Sequence, residues 1–223
     1  MDESLSPNAI EQFFDSIVYS GLIINFAENT YVLEHLIDIP QFFQSDGDGK
    51  PFEYCLVCGK YLLDGDTNYV IEKAMKNYDD FEFSSTIYEY AMCTHCHAEI
   101  QKSMSEESIA NIQAYYQQKV IQKGKQVMTI DLRSFDINSW MSKCFFTEKP
   151  LKEMKEYQMV GQFRGDKLLI NQPPMIIGDE IIEEMSGLIS DKTIDEMNGF
   201  KEQYLGPPPE LQELIYRRKL IFI

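Results

Sequence analysis

Two short stretches carry most of the chemistry in this chain: YCLVCGKYL, Tyr54 to Leu62, and YAMCTHCHAEI, Tyr90 to Ile100. Cys55, Cys58, Cys93 and Cys96 thereby form C-x2-C, a gap of 34 residues, and a second C-x2-C. Two residues between thiols let one tight turn aim both sulfurs at a point, as a tetrahedral zinc ion requires. Gly59 follows the first pair, where a glycine relieves crowding as the chain folds back over an ion. The second pair runs into HAEIQKSM, which sets Cys93 and Cys96 at a helix start. Free amides and the helix dipole there favour thiolate over thiol. One structural zinc ion is the expected cofactor, with Lys60 and those amides offsetting part of the thiolate charge.

Two other chemistries use the same residues. A redox dithiol needs one C-x2-C, at a helix start in a thioredoxin-like setting. An iron–sulfur cluster shares the cysteine count. The two matched pairs and the glycine after the first favour zinc over both. His95 and His97 interleave the second pair but are not needed as ligands, since four cysteines complete a tetrahedron. Their expected place is at the helix cap or as a donor to a thiolate. His35 lies in an apolar stretch and reads as a core or boundary residue.

The elements that must position these thiols are legible in outline. After the first pair come two strand-like runs, NYVIEKAMK and STIYEYAM, joined by the polar NYDDFEFS. A capping signal at Ser105 opens the helix EESIANIQAYYQQKVIQK, which Gly124 ends. A cysteine turn, a β-hairpin and a helix bearing the second ligand pair resemble a zinc-ribbon or treble-clef module. The resemblance covers about Tyr54 to Met104, and it implies structural ligands at Cys55, Cys58, Cys93 and Cys96.

Outside that region the pattern is looser. Ser6-Pro7 opens a helix over 6–20, and LIINFAENTYVLEHLIDI, ending before Pro40, is read as a second helix. QSDGDGKP is a turn-rich linker. Its Asp46-Gly47-Asp48 fails as a calcium loop, because Lys50 and Val57 stand where oxygen ligands belong. Near the C-terminus, Gly206 ends a helix and the three prolines after it forbid its continuation. The expected fold class is α+β: a helical N-terminal segment (1–50), a zinc-binding module with its following helix (51–125), and a second, degenerate hairpin-helix module with C-terminal helices (126–223).

That second module rests on an internal echo. CLVCGKYL at Cys55 compares with CFFTEKPL at Cys144, and NYVIEK with EYQMVG, displaced by one residue. CTHCHAEI lines up with MIIGDEII, setting Met175 and Gly178 against Cys93 and Cys96, and SEESIANI matches SDKTIDEM. On this reading Cys144, Thr147, Met175 and Gly178 mark a metal-free duplicate, with Met175 filling the vacated centre and the intervening helix one turn longer.

Charge and motif content limit what the chain does. Its net charge is −16, divided as −8 over 1–50, −6 over 51–100, +2 over 101–150 and −4 over 151–223. Such a surface repels a phosphate backbone, so nucleic acid is not an expected partner. No apolar run is long enough to span a bilayer, and MDESLSPNAIEQ lacks the basic-then-apolar pattern of a secretory signal. With an odd count of five cysteines, reduced thiols in the cytosol are expected. No metalloprotease, hydrolase, P-loop or dinucleotide motif is present, and a site closed by four sulfurs leaves no open coordination position. The expectation is a non-enzymatic zinc-binding protein that presents an acidic, aromatic-rich surface to another protein. A nucleic-acid-associated regulator using the basic segment Lys102–Lys149 is the alternative, and an enzyme without a recognisable motif stands behind both.

Overall fold

The computed structural model describes residues 23–26, 36–78, 81–122, 127–130 and 135–206. Its sheet is built on a long antiparallel hairpin, β3 (Asn68–Tyr78) and β4 (Phe81–Cys93). Both strands outrun the sequence reading, because NYDDFEFS, expected as a loop, pairs almost to its tip: Asn77 faces Ser84 and Tyr78 faces Phe81. Alternation along β3 sends Tyr69, Ile71, Lys73 and Met75 to one face and Val70, Glu72 and Ala74 to the other. A further antiparallel strand, β6 (Glu156–Arg164), lies along the other edge of β3. Two shorter strands, β7 (Lys167–Leu169) and β8 (Met175–Gly178), pair with opposite ends of β6. Residue 170 to residue 174 breaks their line, and Pro173 and Pro174 have no amide to give a ladder.

A helix α1 (Thr94–Ser103) follows β4 directly, and α2 (Glu106–Gln122) follows it after Ser105. Ser105 Oγ accepts from the Ser108 amide at 3.1 Å, the cap that the sequence implies. The second half has the same order: α4 (Asp179–Ser186) directly after β8, then α5 (Asp191–Phe200) after Ser190, whose Oγ accepts from the Thr193 amide at 3.4 Å. A short α3 (Ile137–Trp140) precedes Cys144. The observed mixture of helices with an antiparallel sheet is the expected α+β class.

The N-terminal expectation needs correcting where it is described. Ile23–Phe26 is a strand, β1, paired in parallel with β5 (Val127–Ile130). Leu36–Asp38 is a strand, β2, at the outer edge of β7. The run read as a second helix is therefore extended at both described ends, since its β-branched apolar residues serve a pleated surface as well as a helix face. The helix expected over 6–20, Gly124 and everything beyond Gly206 lie outside the described residues.

Among the described residues, one charged side chain is enclosed in this frame. Lys73, 1% exposed, reaches Asp46 at 2.6 Å, Glu89 at 2.9 Å and the Gln44 carbonyl at 2.8 Å. Thr86 also donates to Asp46, and Ser45 Oγ to Glu89. Burial alone would raise the Asp46 carboxyl, but hydrogen bonds from Lys73 and Thr86 and the Lys73 charge hold it below the usual carboxylate range. The turn-rich linker at Asp46 is thus anchored to the hairpin by a buried charge.

Candidate metal centre

The first cysteine pair sits on a turn closed by two backbone bonds: Cys55 N–H donates to the Lys60 carbonyl at 2.8 Å, and Gly59 N–H to the Cys55 carbonyl at 2.9 Å. Gly59 adopts φ 69°, the left-handed region that a Cβ disfavours, which gives the glycine its physical reason. The turn hangs from β4 through Leu56 N–H, which donates to the Ala91 carbonyl at 2.9 Å. Cys93 ends β4 and caps α1, and Cys96 lies in the first turn of that helix. The local sequence thus delivers one pair on a loop and the other at a helix N-terminus.

All four Sγ atoms lie within 4.8 Å of one another. Cys58 Sγ is 3.8 Å from Cys93 Sγ, close to the ~3.8 Å sulfur separation set by a tetrahedron with bonds of about 2.3 Å. It is far from the ~2.05 Å of a disulfide. The Cys93 amide donates to Cys55 Sγ at 3.4 Å. Cys55, Cys93 and Cys96 are buried and Cys58 is exposed, so the cluster is enclosed on all but one side.

Its electrostatics favour a cation. Burial works against ionising Cys55, but the amides of Cys58, Cys93 and Val57 and the Cys58 thiol outweigh it, bringing the thiol down to about 7. Burial pushes Cys93 up, with the neighbouring Cys55 adding to it. Cys96 is pushed up by burial first, then by its contacts with Cys58 and Cys93 and the charge on Cys55. A thiolate at Cys55 is therefore favoured and those at Cys93 and Cys96 are opposed, until a positive ion shares the centre. Four cysteines in this geometry can hold a metal ion, as their spacing implies.

The histidines stand apart from this set, which among the described residues comprises the four cysteines alone. His97 is held below its usual value by burial, while His95 is exposed.

The residues read as a duplicate are partly realigned. Cys144 N–H donates to the Lys149 carbonyl at 2.9 Å and Glu148 N–H to the Cys144 carbonyl at 3.0 Å, the same closure as at Cys55. Thr147, exposed, therefore takes the place of Cys58. However, it is the Gly178 amide that donates to Cys144 Sγ, at 3.4 Å, as Cys93 does to Cys55. Gly178 matches Cys93, and buried Ile181 matches Cys96; Met175 matches neither ligand. The intervening helix accordingly needs no extra turn. The filler is also a different residue. A Cβ added at Gly178 would collide with the Met154 sulfur, so Met154 occupies the space beside Cys144, whereas Met175 had been expected there. Met154 lies between the cysteine turn and the strand, outside every matched motif, and no spacing signal pointed to it.

Comparison with family models, with curated proteins and with solved structures finds no match. Among the described residues no helix is long and apolar enough to cross a membrane.

Proposed function

We propose that Cys55, Cys58, Cys93 and Cys96 bind one zinc ion in a closed, structural site of the zinc-ribbon or treble-clef kind. On this reading the chain is a non-enzymatic cytosolic protein whose metal-binding half is held rigid so as to meet a protein partner. The observation that carries the metal is the convergence of four sulfurs from two distant turns within 4.8 Å. An all-sulfur set suits zinc, and it leaves no position for a substrate.

The partner reading rests on where the exposed apolar side chains lie. Tyr54, Tyr61, Tyr78, Phe83 and Ile87 are all exposed, and all belong to the metal-binding turn or its hairpin. Tyr54 and Tyr61 meet edge to face at 5.6 Å between ring centres, and Tyr78 stacks on Phe83 at 5.1 Å. Among the described residues from 135 to 206, the exposed large apolar residues are Ile194 and Met197. Clustered tyrosines on a fixed turn suit a protein surface, and the acidic first hundred residues disfavour a phosphate backbone.

Elemental analysis of the purified chain by plasma mass spectrometry tests the metal: one zinc per chain is expected, and a folded chain without metal overturns the reading. For the partner, cross-linking in cell extract followed by capture should lose the same specific protein in Tyr54→Ser and Tyr61→Ser chains. Equal capture by these variants removes the turn from the interface, and an RNA-dependent capture transfers the reading to nucleic acid.

A further inference from the structure

We propose that residues 142–193 are a second copy of residues 53–108, in which the place of the ion is taken by the thioether of Met154. The bonds of the two cysteine turns correspond one for one. Leu62 donates to the Glu53 carbonyl and Leu151 to the Ser142 carbonyl; Leu56 donates to Ala91 and Phe145 to Ile176. Tyr54 bridges Tyr61 as Lys143 bridges Pro150. Glu148 even keeps the left-handed backbone of Gly59, with φ 62° against 69°. In the sheet, Tyr69 lies opposite Cys93 as Tyr157 lies opposite Gly178. The copies are offset by 89 positions at Cys55 and Cys144, by 88 at Tyr69 and Tyr157, and by 85 from Cys93 and Gly178 through Ser105 and Ser190.

A cysteine turn recurs by chance; reciprocity across a symmetry axis does not. When two equal halves meet about a twofold axis, every bond from one to the other has a mirror partner in the opposite direction. The helix caps obey this, and the β3–β6 ladder, which as an antiparallel pair is reciprocal in any register, is consistent with it. Asn77 N–H donates to the Lys155 carbonyl at 2.8 Å, and Gly165 N–H to the Thr67 carbonyl at 3.1 Å. Ser105 N–H donates to Thr193 Oγ1 at 3.0 Å, and Ser190 N–H to Ser108 Oγ at 2.9 Å. Along β3 and β6, Tyr69 faces Phe163 while their counterparts Tyr157 and Met75 face each other, which puts the axis between Glu72 and Val160. The hydroxyls of Ser105 and Ser190, equivalent in the two halves, meet at 2.8 Å.

At the second centre, Cys144 keeps its ligand position, while Thr147, Gly178 and Ile181 stand for Cys58, Cys93 and Cys96. The missing Cβ of Gly178 makes the room that the Met154 sulfur fills. Met154 and Ile181 are 1% and 0% exposed, so the replaced centre is dry and hydrocarbon-packed. The second half therefore keeps the scaffold of a metal module with no ion to lose.

The copy is tested by reopening it. A chain carrying Thr147→Cys, Gly178→Cys, Ile181→Cys and Met154→Ala is expected to bind one more zinc than the wild type by native mass spectrometry. Adding Cys144→Ser should remove the extra ion. This gain is counted relative to the wild type, so it stands apart from whether Cys55, Cys58, Cys93 and Cys96 hold zinc as proposed above. No gain in a folded chain overturns the copy. Should the reopened chain fail to fold, NMR of the wild type decides. Nuclear Overhauser contacts from the Met154 methyl to the Gly178 Hα and the Cys144 Hβ atoms support the plug, and their absence overturns it.

Discussion

The turn at Cys55 and the turn at Cys144 are closed by the same backbone bonds, and they differ in what lies at the centre and on the outside. The first gathers four sulfurs, three of them buried. The second sets one thiol against Met154 and Ile181. Outside, the exposed pair Tyr54 and Tyr61 of the first turn has Lys143 and Pro150 as its counterpart. The geometry of the turn is thus indifferent to the filling. Thiolates gathered at one point need a cation to reconcile them, whereas a centre of thioether and hydrocarbon carries no charge to offset. On the proposed reading, the half that takes an ion is also the half that carries the exposed tyrosines, which would tie its surface to metal occupancy.

The sharpest way to separate the halves is to remove the ion. Cys58→Ser or Cys96→Ser is expected to lower unfolding free energy by more than about 4 kcal/mol in urea titrations, as loss of a structural metal does. Thr147→Ser, at the exposed counterpart of Cys58, should change it by no more than about 0.5 kcal/mol. Next comes the plug. Met154→Ala leaves a cavity beside Cys144 and should cost about 2–4 kcal/mol. Gly178→Ala alone meets the Met154 sulfur and also destabilises. Combined, the two should cost less than their sum, because the new methyl enters the space the thioether leaves. Additive losses would show that Met154 and Gly178 do not share that space.

Much of this was written plainly in the residues. The convergence of the four cysteines followed from their spacing, because a tight turn admits few arrangements of two thiols, and the caps at Ser105 and Ser190 followed from local hydrogen-bond chemistry. What escaped was non-local. Ile23–Phe26 looked helical until paired with Val127–Ile130, a partner a hundred positions away. Phe81 to Ser84 read as loop because a strand at the edge of the described sheet, with one side toward solvent, tolerates polar residues. Lys73 looked like an ordinary polar residue of a strand, and only the folded chain brings Asp46 and Glu89 to it. The echo around Cys144 was visible, but its later register slipped by three. Met175 and Gly178 reproduce a C-x2-C interval, whereas the backbone matches amides and caps, which side-chain spelling does not record.

A smaller contrast lies on the axis itself, where Glu72 faces Val160. Burial raises the Glu72 carboxyl above its ordinary value, and a hydrogen bond donated by the Tyr90 hydroxyl offsets part of that rise. Below about pH 4.5 folded and unfolded chains are both protonated there, and the stability is fully present. As pH climbs through the raised folded-state value, that contribution is lost. The wild type should therefore weaken relative to Glu72→Gln as pH rises from about 4.5, in paired denaturation curves. A difference that is flat with pH would mean that the carboxyl is not desolvated by folding.

The least of these effects concerns the one backbone position at which the two turns make the same demand of different residues. Gly59 and Glu148 both lie at positive φ, and Glu148 is the one non-glycine residue there among those described. A Cβ in that region costs roughly 1–2 kcal/mol, and glycine returns part of it as unfolded-state entropy. Glu148→Gly should thus stabilise the chain by about 0.5–1 kcal/mol. Among the contacts it sacrifices, the exposed one to Lys143 at 3.5 Å is worth little in solvent. Gly59→Ala should lose about 1 kcal/mol, since a Cβ there meets no other atom within 4 Å and only strain is added. Its metal content should stay unchanged. If Glu148→Gly destabilises instead, the glutamate side chain is holding the second turn closed, and the two turns are alike in their bonds but not in what keeps them shut.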